Sequence, residues 1–471
     1  MSIVSSNTLE LRLAELIVQD TPKVSETETC QASRHVADLV GVALAGTKLP
    51  AFDRLVSLSA DLPEQGRLSA RIWGSNRRVS LREAGLINAF AGHIHDFDDD
   101  EVEYSLAHLT VTAATAAIVA ADACPGVSGA EVMKAYLVAS EAAMRLGEII
   151  NPDHYRRGWH SSATLGSFAA CAAAGRILGL TPLQMRQALG MCASLASGIR
   201  ANFGSDTKPL QVGHAVRNGI FAVEAAKAGL TAAAGALFGE AGFGSLFQKG
   251  RDLETIIDGF GEPYRLLGGS MVIKAYPCCT ASHTAIYSML TLKAEHRFSG
   301  SDIAKITCHI DPVVPGILIY DRPTNGTEAK FSMPYCLAVA AQVGKVGVAE
   351  FTLENGLDAN IRSVMERTTM LTDATLPKGP SGASVSSRIE IELRDGRRFE
   401  RFQEFAPGSA GAPLSDDALE KKFRECLSSE SSNSVSALFH LLLGAGSIAS
   451  FSDCIDRFVM QTRELADKVV I

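Results

Sequence analysis

The chain has 471 residues, of which 46% are hydrophobic and 20% charged, and its formal net charge is −8. Such a length predicts two domains rather than one core, and the composition is that of a folded globular protein. A negative balance with no basic tail or stripe argues against nucleic-acid binding, and the longest weakly polar runs, such as 111–121, fall short of the roughly 20 residues that a membrane helix needs.

In chain order, residues 1–270 read as nearly all helix. Met1-Ser2-Ile3-Val4 turns acidic by Glu10, which is not the pattern of a secretory signal. Apolar residues at helical spacing over 9–17 and 32–44 predict two helices. His93-Ile-His95-Asp96-Phe97-Asp98-Asp99-Asp100-Glu101 then places seven titratable side chains in nine residues. Acidic runs most often mark solvated helix starts, because Asp and Glu suit the positive end of the helix dipole. So many titratable groups beside core-forming helices also point to acid–base work or ion binding. The segment alone leaves both readings open.

An internal repeat follows. His108 precedes an Ala/Thr-rich stretch and then Gly126-Val-Ser-Gly-Ala-Glu, and His160 precedes 161–179 and then Leu180-Thr-Pro-Leu-Gln. In both, a small-residue helix ends near glycine and a Ser/Thr signal opens a second helix. His214 begins a third, looser copy. The unit is an αα-hairpin of the kind that stacks to bury a shared face. In register, three histidines and three helix N-termini would rim one surface, an anion-binding arrangement. Taken singly, each histidine reads more plainly as a cap or packed polar residue. His214, with Arg217 and Asn218 after it on an ordinary amphipathic pattern, is read that way. Lys208 is placed in a loop between repeats, on backbone held extended by Pro209.

The character changes near residue 270. Residues 271–276 are short and strand-like, and 302–310 and 387–394 alternate with strand period. Helical segments are predicted at 281–294, 332–343 and 349–366, with a loop at 379–383. Helices resume from 416, at 419–426, 435–443 and 454–469. The expected fold is mainly α. A large all-helical domain is formed by both chain ends (1–270 and 405–471), with an inserted, smaller α+β lid domain (271–404). A cleft between two such domains is a usual place for a small-molecule site.

Ten scattered cysteines read as reduced, buried small hydrophobes of a cytoplasmic protein, and no CxxC spacing suggests zinc. No GxxxxGK[ST], HExxH or GxSxG occurs, and Gly242-Phe-Gly244 lacks the third glycine of a dinucleotide site. His93, His95 and the aspartates are a conceivable donor set for a divalent cation. Asp99-Asp100-x-x-Glu103 is faintly similar to the diphosphate motif of helical terpene synthases. Two tryptophans and no second acidic cluster argue against that chemistry.

One ordered set of motifs is more specific. It runs HxxDFDD (93–99), His108 at the next helix start, W-H-x-S-x-T-x-G-x-x-A (159–169), T-K-P-L-x-x-G (207–213), K-x-Y-P (274–277) and A-K-F-S-x-P-Y (329–335). Over about residues 9–470 this resembles the 2-methylcitrate dehydratase (MmgE/PrpD) family. That family includes 2-methylcitrate dehydratase, cis-aconitate decarboxylase and iminodisuccinate epimerase. The resemblance implies the helical domain with inserted lid, a homodimer, no metal or organic cofactor, and a small di- or tricarboxylate substrate. Carried over residue by residue, it implies Asp96, His108, His160, Lys208 and Lys274 around one pocket, with Tyr320 beside them. His108 and His160 would be the proton-transfer pair, with Asp96 orienting one of them, and Lys208 and Lys274 would clamp carboxylates.

Two departures qualify the resemblance. Asp-Glu-Val-Glu-Tyr-Ser (100–105) is longer and more acidic than the Thr-x-His-Pro type of segment expected there. Cys279 stands where the dehydratase and decarboxylase branches tend to carry a histidine, and His283, one turn on, is the expected substitute for substrate binding. The resulting expectation is a metal-independent lyase, foremost a hydro-lyase of the 2-methylcitrate dehydratase type. Decarboxylation, epimerisation, a non-catalytic scaffold and a metal enzyme built on His93 and His95 are the alternatives.

Overall fold

Side-chain caps open many of the helices. Ser25, Ser128 and Thr181 each accept from the backbone N–H three residues on, and Glu28, Glu131 and Gln184 reach back to the cap residues. Each such reciprocal pair satisfies two otherwise orphaned donors. In the computed structural model, which describes residues 3–19, 23–59, 68–75, 77–247, 252–352, 357–379, 381–427 and 432–455, these caps start the helices Glu26–Gly46, Gly129–Ile150 and Pro182–Leu195.

The two predicted hairpins are present, as Leu109–Asp122 with Gly129–Ile150 and Ser161–Ile177 with Pro182–Leu195. Their first helices lie at the centre, and every residue of Leu109–Asp122 is buried, which is why that segment is apolar all round. Small residues let the backbones approach closely. A Cβ on Gly213 would lie 2.5 Å from the Leu86 carbonyl oxygen, and one on Gly219 would lie 2.6 Å from that of Ser167. The helix Thr207–Lys227 is thereby seated against Leu81–His93 and Ser161–Ile177.

The third copy differs from expectation. Its helix begins at Thr207, so His214 sits inside it, half-buried, and not at a start. Lys208 consequently lies in the first helical turn rather than in a loop. Pro209 fits there because the first-turn N–H groups have no intrahelical acceptor anyway.

The second half forms a four-stranded sheet in the order Thr368–Thr372, Ile303–Ile310, Ser387–Leu393, Arg398–Gln403. The first pair is parallel and the others antiparallel. Ser387–Leu393 buries every second residue, as its alternation predicts. Thr368–Thr372 was not anticipated, because Thr-Thr-Met-Leu-Thr carries no clear alternation. Helices His283–His296 and Met333–Val343 accompany the sheet, while the helix expected over 349–366 shrinks to Ala359–Met365 behind a short 3₁₀ turn. Met271–Val272 pairs not with this sheet but with Asp100–Glu101. The acidic loop is thus tied to the point where the second half begins.

One hydrophobic core gathers residues from Leu9 to Ile273 together with Leu419 to Ile455, and a second gathers Tyr276 to Leu393. With 57% of the described residues helical, the protein is mainly α. Asp416–Cys426 and Ser432–Leu443 return to the first core, and the helix expected at 454–469 lies outside the described residues from 456 onward. No disulfide bond is present among the described residues. Among the described residues, no helix is long and apolar enough to cross a membrane.

Candidate active site

The acidic segment is buried, not a solvated helix start. His93, Asp96, Asp98, Asp99 and Glu101 are each at most 3% exposed. Charges this deep need partners, and the loop and the elements packed against it supply them. Asp98 accepts from His93 Nδ1 at 2.9 Å, and Asp99 Oδ2 accepts from the Thr110 hydroxyl and lies against His35 Nδ1, both at 2.6 Å. The Thr280 hydroxyl donates to Asp100 at 2.7 Å, and Glu101 accepts the amides of residues 103–105. Asp96 has φ 52°, a left-handed conformation that Asp tolerates better than most residues.

Asp96 gathers two cations. Its Oδ1 lies 2.9 Å from both Lys208 Nζ and Lys274 Nζ, and its carbonyl accepts from Lys274 at 3.0 Å. Burial works to raise the Asp96 pKa, but Lys208 and Lys274 outweigh it and hold the carboxyl well below its ordinary range. Burial likewise works to strip the Lys274 proton, and Asp96, Asp100 and Asp98 together hold its pKa above the usual lysine value. Lys208 Nζ also lies 2.7 Å from His93 Nε2. Burial, opposed by Asp98, lowers His93 to about 4, so its neutral ring donates from Nδ1 to Asp98 and accepts a hydrogen bond from Lys208 at Nε2.

Donor atoms of His93, Asp96, Asp98 and His108 all lie within 4.8 Å of one another, a spacing at which a metal ion can be held. The chemistry of this set favours ammonium. Asp96 Oδ1 already receives two lysines and His93 Nε2 one of them, so a divalent ion would have to displace buried cations. His95 is not part of the cluster. It is buried beside Lys330, and burial followed by that lysine's charge pushes it down to about 3.

His108 and His160 each occupy the N-cap of a central helix without capping it by their side chains. The rings are therefore free for other partners, and their environments differ. His108 Nδ1 donates to the Asp99 carbonyl at 2.7 Å and lies 3.2 Å from Asp98, while Nε2 lies 3.7 Å from Asp100 and 3.8 Å from Asp96. Burial disfavours its charged form, but Asp100 and Asp98 prevail and raise its pKa. His160 Nδ1 donates to Gln211 Oε1 at 3.0 Å, with the Gln211 amide oriented by its own bond to the Ile199 carbonyl. Its Nε2 is buried without a partner. Burial, then the charges of Lys208 and His93, push His160 well below 6.5. One pocket thus holds a histidine whose environment favours the charged form and another whose environment disfavours it and leaves Nε2 unpartnered, the pattern of an acid and a base set by environment.

A cavity of about 160 Å³ joins these groups. It is lined by Asp96, His108, His160, Lys208 and Lys274 on one side and by Val313, Val314, Ile317 and Phe331 from the second half on the other. Phe203 and Phe331 each place a ring 5.3 Å from Lys208 Nζ. Tyr320 and His283 do not line the cavity. The Tyr320 hydroxyl donates to the Phe203 carbonyl at 2.8 Å, so it braces the wall from behind. His283 is fully buried, bonded through Nε2 to the Cys278 carbonyl at 3.1 Å and packed on Tyr276, which turns it into the second core. Cys279 does line the cavity, as a neutral thiol pushed up to about 12 by burial and by Asp96. Sequence reasoning assigned His93 to a possible metal site and gave no role to Phe203 or to Phe331, although Phe331 stands inside the A-K-F-S-x-P-Y motif.

The chain is similar to known proteins along most of its length. A model of the MmgE/PrpD N-terminal domain matches residues 12–256, and one of the C-terminal domain matches 276–438. A cis-aconitate decarboxylase of Aspergillus terreus is 25% identical over 453 residues, 90% of each chain. Those of Mus musculus and Homo sapiens are both 26% identical, covering 84% of this chain and 81% and 82% of theirs.

Proposed function

Because this chain belongs to the MmgE/PrpD family, we propose that its pocket binds a small di- or tricarboxylate and acts as a lyase, moving a proton at a carbon next to a carboxylate without a metal or organic cofactor. The observation that carries this reading is the pairing of His108, whose charged form Asp100 and Asp98 favour, with an unpartnered His160, whose charged form burial disfavours, in one cavity beside Lys208 and Lys274. Substrate carboxylates sit against Lys208 and Lys274 and at the helix N-termini that His108 and His160 head. His160 Nε2 takes the C–H proton, and the lysines stabilise the enediolate that forms. The electron pair then forms the C=C bond as the neighbouring C–O bond breaks, and His108 protonates the departing hydroxide to give water. This is the chemistry of a hydro-lyase of the 2-methylcitrate dehydratase type.

A second reading, decarboxylation, is favoured by the relatives named cis-aconitate decarboxylase. It would break a C–C bond to release CO₂ and use His108 alone as proton donor. Epimerisation would use both histidines on opposite faces of one carbon. Cys279, a neutral thiol in the wall, favours a substrate whose facing group is uncharged. With this activity we carry the division into a helical domain (1–270 and 405–471) and an inserted lid (271–404), and a cytoplasmic homodimer, on the family resemblance.

The test is incubation with 2-methylcitrate, citrate, cis-aconitate and iminodisuccinate in heavy water, followed by NMR. Olefinic carbon signals of a new C=C bond, with loss of water, are the expected result. CO₂ release, or deuterium exchange without net change, would replace dehydration by decarboxylation or epimerisation. Binding without turnover of any compound would overturn the enzymatic reading in favour of a scaffold, and activity lost to EDTA and restored by metal would overturn the cofactor-free one.

A further inference from the structure

Three ammonium groups from distant parts of the chain converge on one turn. Lys330 Nζ donates to the Ile94 carbonyl at 2.8 Å, Lys274 Nζ to that of Asp96 at 3.0 Å, and Lys422 Nζ to that of Phe97 at 2.8 Å. All three lysines are at most 6% exposed. Lys422 also pairs with Asp38 at 2.6 Å and lies 4.0 Å over the Phe97 ring. Lys330 has no carboxylate at ion-pair distance among the described residues, and burial, opposed by Asp96, pulls it down to about 8. The other charged or titratable groups around it are Lys208, Asp206, Cys278 and His95.

An apolar side chain would fill the space of a buried lysine at far lower desolvation cost. What only a donor can do there is satisfy carbonyls that the left-handed Asp96 takes out of the preceding helix. Neither Lys330 nor Lys422 lines the cavity, so neither meets substrate. We infer that Lys330 and Lys422 are positioning residues, each holding one carbonyl of the 94–97 turn so that Asp96 stays where it gathers Lys208 and Lys274. Lys330 approaches from the second half of the chain, whose Phe331 forms the opposite wall of the cavity. Seating of that half is thereby registered at the turn that carries Asp96. The inference rests on Asp96 belonging to the pocket, as proposed above, and not on which bond the enzyme breaks.

The experiment compares the full-length protein with Lys330→Met, Lys330→Arg and Lys422→Met by amide hydrogen exchange and by kinetics on whichever polycarboxylate is turned over. In Lys330→Met, exchange over 93–101 is expected to rise about tenfold or more while the central helices stay protected. In the same variant kcat should fall about tenfold or more with KM changed by less than about threefold, and Arg should restore most of the loss. Unchanged exchange over 93–101, or kcat within about twofold of the parent in a folded Met variant, would overturn the proposal. Should Lys330→Met fail to fold, Lys422→Met decides by the same two readouts from the other side of the turn. If the parent turns over no polycarboxylate, the proposed function fails, and exchange alone still decides the clamp.

Discussion

Asp96 is the residue on which the charges of the pocket balance. Replacing it by Asn leaves Lys208 and Lys274 buried against a neutral amide, and breaking a buried pair from one side costs about 3–5 kcal/mol. Asp96→Asn is therefore expected to lose stability on that scale in denaturant titrations, besides losing activity. The two histidines set the pH dependence. His160 acts as a base above its pKa, which burial lowers, so the acid limb of kcat/KM should fall below 6.5. His108 acts as an acid below its pKa, which Asp100 and Asp98 raise against burial, so the alkaline limb should lie above 6.5. A plateau spanning neutrality is expected, and His108→Gln should abolish the alkaline limb. Loss of the alkaline limb in His160→Gln instead of His108→Gln would show that the roles are exchanged. The order of motifs made Asp96, His108, His160, Lys208 and Lys274 legible as one set, and the cavity contains all five. It misdirected His283, because spacing along a chain says nothing of how the turn at Cys278 and Cys279 rotates the following helix. Lys330 stood inside the A-K-F-S-x-P-Y motif but was given no role, and Lys422 carried no signal, since a lysine in sequence looks like surface until packing encloses it.

Among the elements, the helix Thr207–Lys227 matters most for the site, because its first turn carries Lys208 and its middle is wedged between two others. Gly219→Val would drive a side chain into the Ser167 carbonyl and the Cys171 amide. Overpacking of that kind costs about 1–3 kcal/mol, which a shift of the urea midpoint would measure. Activity should fall with it, whereas Gly126, which meets nothing within 4 Å, sits where only its positive φ of 92° resists substitution. The hairpins were legible because Ser128 with Glu131 and Thr181 with Gln184 write their helix starts into the sequence. The third copy was misplaced for the opposite reason. Its cap residue, Asp206, makes no side-chain cap bond, and the conspicuous His214 drew the boundary inward.

At the scale of the whole molecule, two hydrophobic cores are formed by the two parts of the chain, and Phe203, Ile317 and Phe331 form a small apolar cluster of their own in the cavity wall. Composition and periodicity made the mainly helical character and the late α+β segment legible. Pairing of Met271–Val272 with Asp100–Glu101 was not, since a two-residue bridge leaves no periodic trace. The central claim is that His160 faces the reacting carbon while Lys208 and Lys274 hold carboxylates. A crystal structure with tricarballylate, an unreactive tricarboxylate, tests it directly. The account predicts carboxylate oxygens within hydrogen-bond reach of Lys208 or Lys274 and a methylene carbon facing His160 Nε2, with His108 on the side of the leaving group. An anion bound elsewhere, or a carboxylate turned onto His160 Nε2 itself, would contradict it.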